Sequence, residues 1–592
     1  MVQIIWLVIA VLILFSVGYL GYSKYLAQFL ELDEANETPA HKYADGQVYV
    51  PAKKPVLLGH HYSSIAGGAP IVGPITAGVV WGWVPALLWV AIGNPLMGSV
   101  HDFTALSASL RHEGKSIGYV IGQYVGERGK DMLLWFAFLT IVLVVAVFAL
   151  VVAIVFDAYP SAATASMLYI ALAFLFGIYL YQMDLPFLPG TALFVIGVFA
   201  SVWVGIQFPL VLVPEGGSIF LPTVINANVS AWIPIVIIYA GVASALPVWM
   251  LLQPRDYLSS FLLYAGVGGA LIAIIVGTIF ATSSQPLVTN INAYNGFWGS
   301  TGATPLFPLL FVTIACGTIS GFHSLVSSGT TAKQLNRETD ARLIGYGGML
   351  GEGLLATVAL STLAVAGIKV SGGGIGQALP NFAKGGGIIL TSLGIPASFG
   401  GPFMALVLVS FLLTSTDTAV RLGRYLMEEL VGTPENAVEE YAAHRYVNPF
   451  VQGIPAYILI TSGSWLTLWQ LFGGANQLLA ALALTTATVW LANWDDSKQL
   501  ISTGAPMAIM VTITTLALLW LALHDNLYVK FIQGQQMSTM ATLSAVVQIV
   551  LALVLVYIGL SIVKMGYDNI RQVRGGGAAA ATDGGHPAEE AE

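Results

Sequence analysis

Charge is what this sequence has least of. Asp, Glu, Lys and Arg make up 9% of the 592 residues, against 56% apolar ones. A soluble domain carries about 25% charged residues, and a water-soluble fold of this size could not hide so much apolar surface. Cysteine is nearly missing too. The single one, Cys316, supplies neither a disulfide framework nor a zinc cluster. No Walker A glycine loop is present, which argues against an ATP-driven motor, and HExxH, CxxC and GxSxG are absent. No basic, aromatic-laced stretch suits a nucleic acid, and no arginine-rich helix suits a voltage sensor. With no catalytic set, an enzyme is not expected. The short alternating segments of a β-barrel are also lacking.

What is there is a series of long apolar runs, among them Ile4–Tyr22, Trp135–Phe156, Ile233–Leu252 and Leu543–Val563. About 20 such residues cross the ~30 Å hydrocarbon core as a helix, and a helix pairs its own backbone polar groups. The expected fold class is an all-α polytopic membrane protein with about 15 spans. They fall near 3–23, 60–80, 83–110, 131–157, 162–182, 187–209, 232–252, 258–282, 304–331, 343–368, 400–431, 450–470, 475–492, 504–523 and 540–563. Ile4–Tyr22 has no basic segment before it and no small-residue cleavage site, so it reads as a retained helix. The stretch 574–592, small and acidic, reads as a disordered tail. The 64 glycines fit close helix packing.

Lysine and arginine set the orientation. With the N-terminus outside, 19 of the 22 basic residues fall on the cytoplasmic side, leaving Lys369, Lys384 and Lys530 outside. One miscounted span would scramble that bias. The expectation is a bacterial inner-membrane protein with a periplasmic N-terminus and a cytoplasmic C-terminus.

Two spans have interrupted texture. GHHYSSIAGGAPIVGP (59–74) carries Gly67, Gly68 and Pro70, and ACGTISGFHSLVSSGTT (315–331) carries Gly317, Ser320, Gly321 and His323. Proline and glycine weaken a helix. Each segment opens a group of five spans, and the two groups enter from opposite sides. That is the pattern of an inverted repeat with two broken first helices, which place a binding site near the midplane. The expected units are 1–56 (first helix and loop), 57–210 (first repeat), 211–303 (two-helix insertion), 304–493 (second repeat), 494–573 (two C-terminal helices) and 574–592. A competing register opens the second repeat at 232–252, because YAGVASALPVWMLLQPRDY also holds a possible break. Residues 63–70 and 317–323 are expected to face each other across a central polar cavity. The substrate set is His60, His61, Ser63, Ser64, Ala66, Gly67, Gly68, Gly317, Ser320, Gly321 and His323.

Ionisable groups inside a span mark functional positions. Asp417 sits among Thr414, Ser415, Thr416 and Thr418, and the hydroxyls are hard oxygen ligands suited to Na⁺. Hydroxyls that bond back to their own helix are the plain alternative. Glu352 lies within its span as a proton-coupling candidate. Asp102 is expected to pair with Arg111 or a loop lysine. His60 and His61 point about 100° apart on a helix and so form no paired metal site. Trp465 and Trp469 read as an interfacial belt, near Asn476 and Gln477.

These stretches resemble the carbon starvation protein (CstA) family. The matching segments are GHHYSSIAGGAPIVGP (59–74), VHDF (100–103), the long block 305–356, TSTDTAVRLGRYLMEELVG (414–432) and LTLWQLFGGANQLLAALAL (466–484). The resemblance implies uptake of short peptides or pyruvate under carbon limitation, with pyruvate entry driven by protons. At a weaker level LTSTDTAV (413–420) resembles the eighth core helix of LeuT-type sodium symporters. Carried over, Thr414 and Ser415 would ligate Na⁺ against carbonyls near Ala66 and Ala69. Asp417 is foreign to that pattern and leaves a proton-carrying carboxylate open. The expected function is therefore secondary transport of a small metabolite, coupled to H⁺ or Na⁺, with no cofactor and no nucleic-acid partner. A passive facilitator or a membrane-embedded sensor is the alternative. The sequence carries no signal of oligomeric state.

Overall fold

The computed structural model describes residues 2–574 except 46–48, 248–249, 301, 368–377, 462–464 and 495–499. The tail beyond Arg574 lies outside the described residues, as do Lys369, Lys498 and the side chain of Trp465.

Twelve helices among the described residues are long and apolar enough to cross a membrane, from Ile4–Phe29 to Ala541–Arg574. The pair Leu57–Ile65 and Ala69–Trp81, bent by 42°, makes a thirteenth crossing if taken as one span. The chain is a nearly all-helical, polytopic membrane protein. The expected count of about 15 differs from this at two places. The segment 304–331 is divided into Leu306–Thr313 and Gly321–Gly329, and 450–470 yields the 13-residue helix Asn448–Ile460. Each helical piece is shorter than the roughly 20 residues of an unbroken crossing; Leu306–Thr313 and Gly321–Gly329 with the break between them cover 306–329 as one broken span, and the end of the 450–470 segment lies partly outside the described residues. A helix the run-length reading passed over, Ala378–Leu390, packs between Gly348–Ala366 and Ala397–Val431. Its glycines permit the approach: a Cβ on Gly385 would stand 2.0 Å from the Thr362 carbonyl oxygen.

Glu127–Ala158 and Leu466–Asn493 form the centre, with 94% and 100% of their most apolar windows buried inside the protein. Helices that see no lipid are free to carry polar side chains, and Leu466–Asn493 does. Ala397–Val431 runs along Glu127–Ala158. Ala69–Trp81 packs on Gly348–Ala366, and Gly321–Gly329 packs on Ser99–Arg111.

Candidate functional site

The first break is short. Lys54–Ile65 ends where Ala66 turns to ψ 61°, and the chain restarts as a helix at Ala69. Pro70 stands in the first turn of the new helix, where its missing N–H leaves no bond unmade. Gly67 and Gly68 lie against the Ala397–Val431 helix: added Cβ atoms would meet Ser415 Oγ at 2.5 Å and Leu412 Cδ2 at 2.2 Å. The hydroxyls of Ser63 and Ser64 both donate to the His60 carbonyl, at 3.1 and 2.8 Å.

The second break runs from Ile314 to Ser320, with Gly317 at φ +83°, a conformation that glycine adopts without a Cβ clash. Broken helices free carbonyls that lipid cannot satisfy, and side chains satisfy them here. The Trp469 indole N–H donates to Thr313 O at 2.8 Å, and Gln477 to Ile314 O at 3.0 Å. Asn476 donates to Ala315 O at 3.1 Å and Asn94 to Gly317 O at 2.8 Å. Asn94 also donates to Met349 O, at 2.8 Å. Asn476 Oδ1 accepts the Phe322 N–H at 3.0 Å, and its Nδ2 donates to Ser320 Oγ at 3.0 Å, securing the restart at Gly321. The interfacial-belt expectation is thereby corrected for Trp469, which acts with Asn476 and Gln477. All three are fully buried and clamp the break from inside.

The two breaks meet. A Cβ on Gly73 would stand 2.8 Å from Thr313 O, and one on Gly317 would stand 3.5 Å from Pro70 Cβ. Residues 63–70 and 317–323 are buried at this crossing, closed off from solvent.

Three ionisable clusters surround it. In the first, His61 Nε2 lies 3.0 Å from Asp102 Oδ2 and its Nδ1 lies 2.8 Å from Thr331 Oγ1. Ser327 Oγ donates to the other oxygen of Asp102. Asp102 thus pairs with a histidine of the first broken helix, correcting the expected partner; Arg111 pairs with Glu338 at 2.9 Å. In the second, buried Arg255 donates to Asp417, to Asp256 at 3.0 Å and to the Tyr239 hydroxyl at 3.2 Å. His60 approaches Asp256 at 4.0 Å. The adjacent histidines therefore serve different clusters, as their helical spacing requires.

In the hydroxyl cluster, two of the hydroxyl protons go to the helix's own carbonyls. Thr414 and Thr416 donate to the carbonyls of Ser410 and Leu412, one turn back, at 2.8 and 2.5 Å. Asp417 is answered by the Arg255 guanidinium. Among the described residues the hydroxyls of Ser415 and Thr418 make no hydrogen bond, and the Ser415 Oγ lies beside Gly67. Ala66 and Ala69 flank that point and are fully buried.

In the third cluster His323 Nε2 stands 3.5 Å from Glu352 Oε1. Cys316 joins them, and one ligand atom from each of the three lies within 4.8 Å of the others. A single cysteine rules out a multi-cysteine zinc site but not this mixed donor set, so the exclusion drawn from the cysteine count was too broad.

Arg255, Asp256, Ser327, Thr331 and Asn94 were missed by sequence reasoning. Arg255 and Asp256 sit in LQPRDY, read as a cytoplasmic turn; their burial had no local signal.

The family description "Carbon starvation protein CstA" matches residues 3–371 and 370–517. The peptide transporter CstA of Helicobacter pylori is 34% identical over 579 residues, 87% of this chain and 81% of that one. The pyruvate/proton symporter BtsT of Escherichia coli is 31% identical over 604 residues, again 87% and 81%. A solved manganese transporter mutant from Eremococcus coleocola superposes with a TM-score of 0.45 at 14% identity, covering 90% of this chain and 99% of that one. With its broken-helix segments, its VHDF motif and its 414–432 segment all inside the matched range, the chain belongs to the carbon starvation protein CstA family.

Proposed function

We propose that this chain is a secondary active transporter that imports short peptides or pyruvate across the bacterial inner membrane, driven by protons, under carbon starvation. Its relatives' names give the substrate classes and, for one of them, the proton. The observation that carries the reading is the crossing of two broken helices with buried ionisable groups packed around it. A facilitator has no use for such groups, which are expensive in a membrane and suit coupling.

The packing also supports an inverted repeat of 57–210 and 304–493. The second half of the first broken helix, Ala69–Trp81, packs on Gly348–Ala366, from the helix that follows the second break. In mirror fashion Gly321–Gly329 packs on Ser99–Arg111, from the helix that follows the first. The third helices of the two groups, Glu127–Ala158 and Ala397–Val431, run along each other. The basic-residue count supports a periplasmic N-terminus.

The proton is assigned to His61 and Asp102. This pair joins the first broken helix to Ser327 of the second and to Thr331 just beyond it. A proton gained or lost there alters the link between two elements whose relative position must change. A sodium-driven version is favoured by one observation, the unpartnered Ser415 Oγ beside Gly67.

Uptake into proteoliposomes under an imposed pH gradient, or an imposed Na⁺ gradient, tests the assignment. Accumulation of pyruvate or a dipeptide with the pH gradient alone is expected. Accumulation that requires sodium would replace the proton reading, and equilibration without accumulation would make the chain a facilitator.

A further inference from the structure

We infer that Cys316, His323 and Glu352 form a binding site for a divalent transition-metal ion of the zinc class. The donors come from three places: Cys316 from the second break, His323 from the first turn of Gly321–Gly329, and Glu352 from Gly348–Ala366. Their ligand atoms lie within 4.8 Å of one another, and the residues are 6%, 0% and 0% exposed. Among the described residues neither ring nitrogen of His323 and neither oxygen of Glu352 makes a hydrogen bond of ordinary geometry, and their one mutual approach is the 3.5 Å between His323 Nε2 and Glu352 Oε1. Buried polar atoms are almost always paired, and an unpaired buried carboxylate is costly. A buried carboxylate, imidazole and thiol that bring one donor atom each together, with no full hydrogen bond on the carboxylate or the imidazole, mark a place for a ligand.

The donor types select its class. A thiolate and a carboxylate carry two negative charges, which neutralise a divalent ion, and a neutral imidazole adds the third bond. Three protein ligands with a fourth position open is the arrangement of zinc sites that exchange a ligand. Sulfur disfavours Na⁺, Mg²⁺ and Ca²⁺. Metal–ligand bonds of about 2.0–2.3 Å bring tetrahedral ligand atoms to within roughly 3.3–3.8 Å of each other. The donors therefore need to close by about 1 Å, within reach of side-chain rotation. Supporting contacts exist: Asn476 Nδ2 reaches Cys316 Sγ at 3.7 Å and Ala315 O at 3.1 Å, the kind of outer contact that orients a metal ligand.

An ion held there ties Gly321–Gly329 to Gly348–Ala366. On the transport reading above, which this consequence alone depends on, that tie stops turnover. Zinc would then act as an inhibitor.

Cobalt(II) is the probe. Added to the purified full-length protein in detergent, it should give the sulfur-to-cobalt charge-transfer absorption of a thiolate ligand at one equivalent, and zinc should displace it. Cys316→Ser should abolish the band while eluting as a monodisperse protein, and Glu352→Gln should weaken cobalt binding at least tenfold. No band in the wild-type protein at saturating cobalt, or a band that survives Cys316→Ser, overturns the site. In proteoliposomes zinc should inhibit wild-type uptake and spare Cys316→Ser. Uptake insensitive to zinc, with the cobalt band present, overturns the tie and confirms the site. Absence of uptake for every substrate, with the band present, fails the transport reading and again confirms the site.

Discussion

The two breaks are held in different ways. The second break is seven residues long (Ile314–Ser320) and its freed carbonyls are bonded by Asn94, Trp469, Asn476 and Gln477. The first break spans three residues, Ala66 to Gly68, and its helix is tied to the rest of the protein by ionisable groups, His61 to Asp102 and His60 toward Asp256. Neutral amide bonds persist whatever the proton concentration. Bonds to histidine and carboxylate do not. On the proposed transport function, the amide-held second break serves as scaffold, while the ionisable contacts, His61–Asp102 on the first helix and His323–Glu352 beyond the second break, are the ties that change.

Removing the ionisable tie is the harshest test. Asp102→Asn should abolish gradient-driven accumulation while leaving substrate exchange across the proteoliposome measurable, because exchange need not release the proton. If accumulation persists in Asp102→Asn, the first break is not the proton-linked one. Next in size is Arg255→Met, which strands Asp417 and Asp256 in the interior. Breaking a buried pair from one side costs about 3–5 kcal/mol. A large drop in the detergent melting temperature is expected, and Asp417→Leu added to Arg255→Met should recover part of it. An unchanged melting temperature would show that the cluster is not closed as described.

Smaller effects sharpen the scaffold-versus-mover contrast. A Cβ on Gly473 would stand 1.9 Å from the Val312 carbonyl oxygen, whereas one on Gly67 meets the Ser415 hydroxyl at 2.5 Å. A backbone carbonyl cannot rotate aside and a hydroxyl can. Gly473→Ala should therefore lower stability by about 1–3 kcal/mol, read as a lower melting temperature, and Gly67→Ala should lower it less. The reverse order would undo the contrast. Smallest is Ser415→Ala. Its hydroxyl has no partner, so folding should be unaffected and uptake under a pH gradient should fall less than twofold. A tenfold loss confined to sodium-dependent uptake would promote the sodium reading instead.

How much of this was legible follows from where the signals reside. A crossing needs about 20 apolar residues in a row, a local property, so runs such as Trp135–Phe156 were visible. Gly67, Gly68 and Pro70 are local too, as are Gly317 and Gly321, and both breaks lie where those residues stand. Ala378–Leu390 was missed because a helix that lies against others without crossing carries no run-length signal. The partners of the polar groups were illegible for a different reason. Arg255 meets Asp417 across 162 positions and Ser327 meets Asp102 across 225, and nothing in either neighbourhood announces the other. Thr414 fits both of its readings: its hydroxyl proton goes to its own helix while the oxygen keeps its lone pairs, so that bond does not decide between them.

Asn94 has a consequence for how the protein is made. Its amide bonds Gly317 O and Met349 O, 223 and 255 residues further along the chain. Ribosomes add about 5–20 residues per second, so the second partner emerges on the order of tens of seconds after Asn94 itself. Throughout that interval an amide destined for the buried interior waits in or beside the bilayer without its native acceptors. The first helices enter the membrane early, but their final packing belongs to the second half of synthesis. A chain truncated after residue 345 should therefore be inserted and still be handed to the membrane's proteases, which a pulse–chase of such truncations would record.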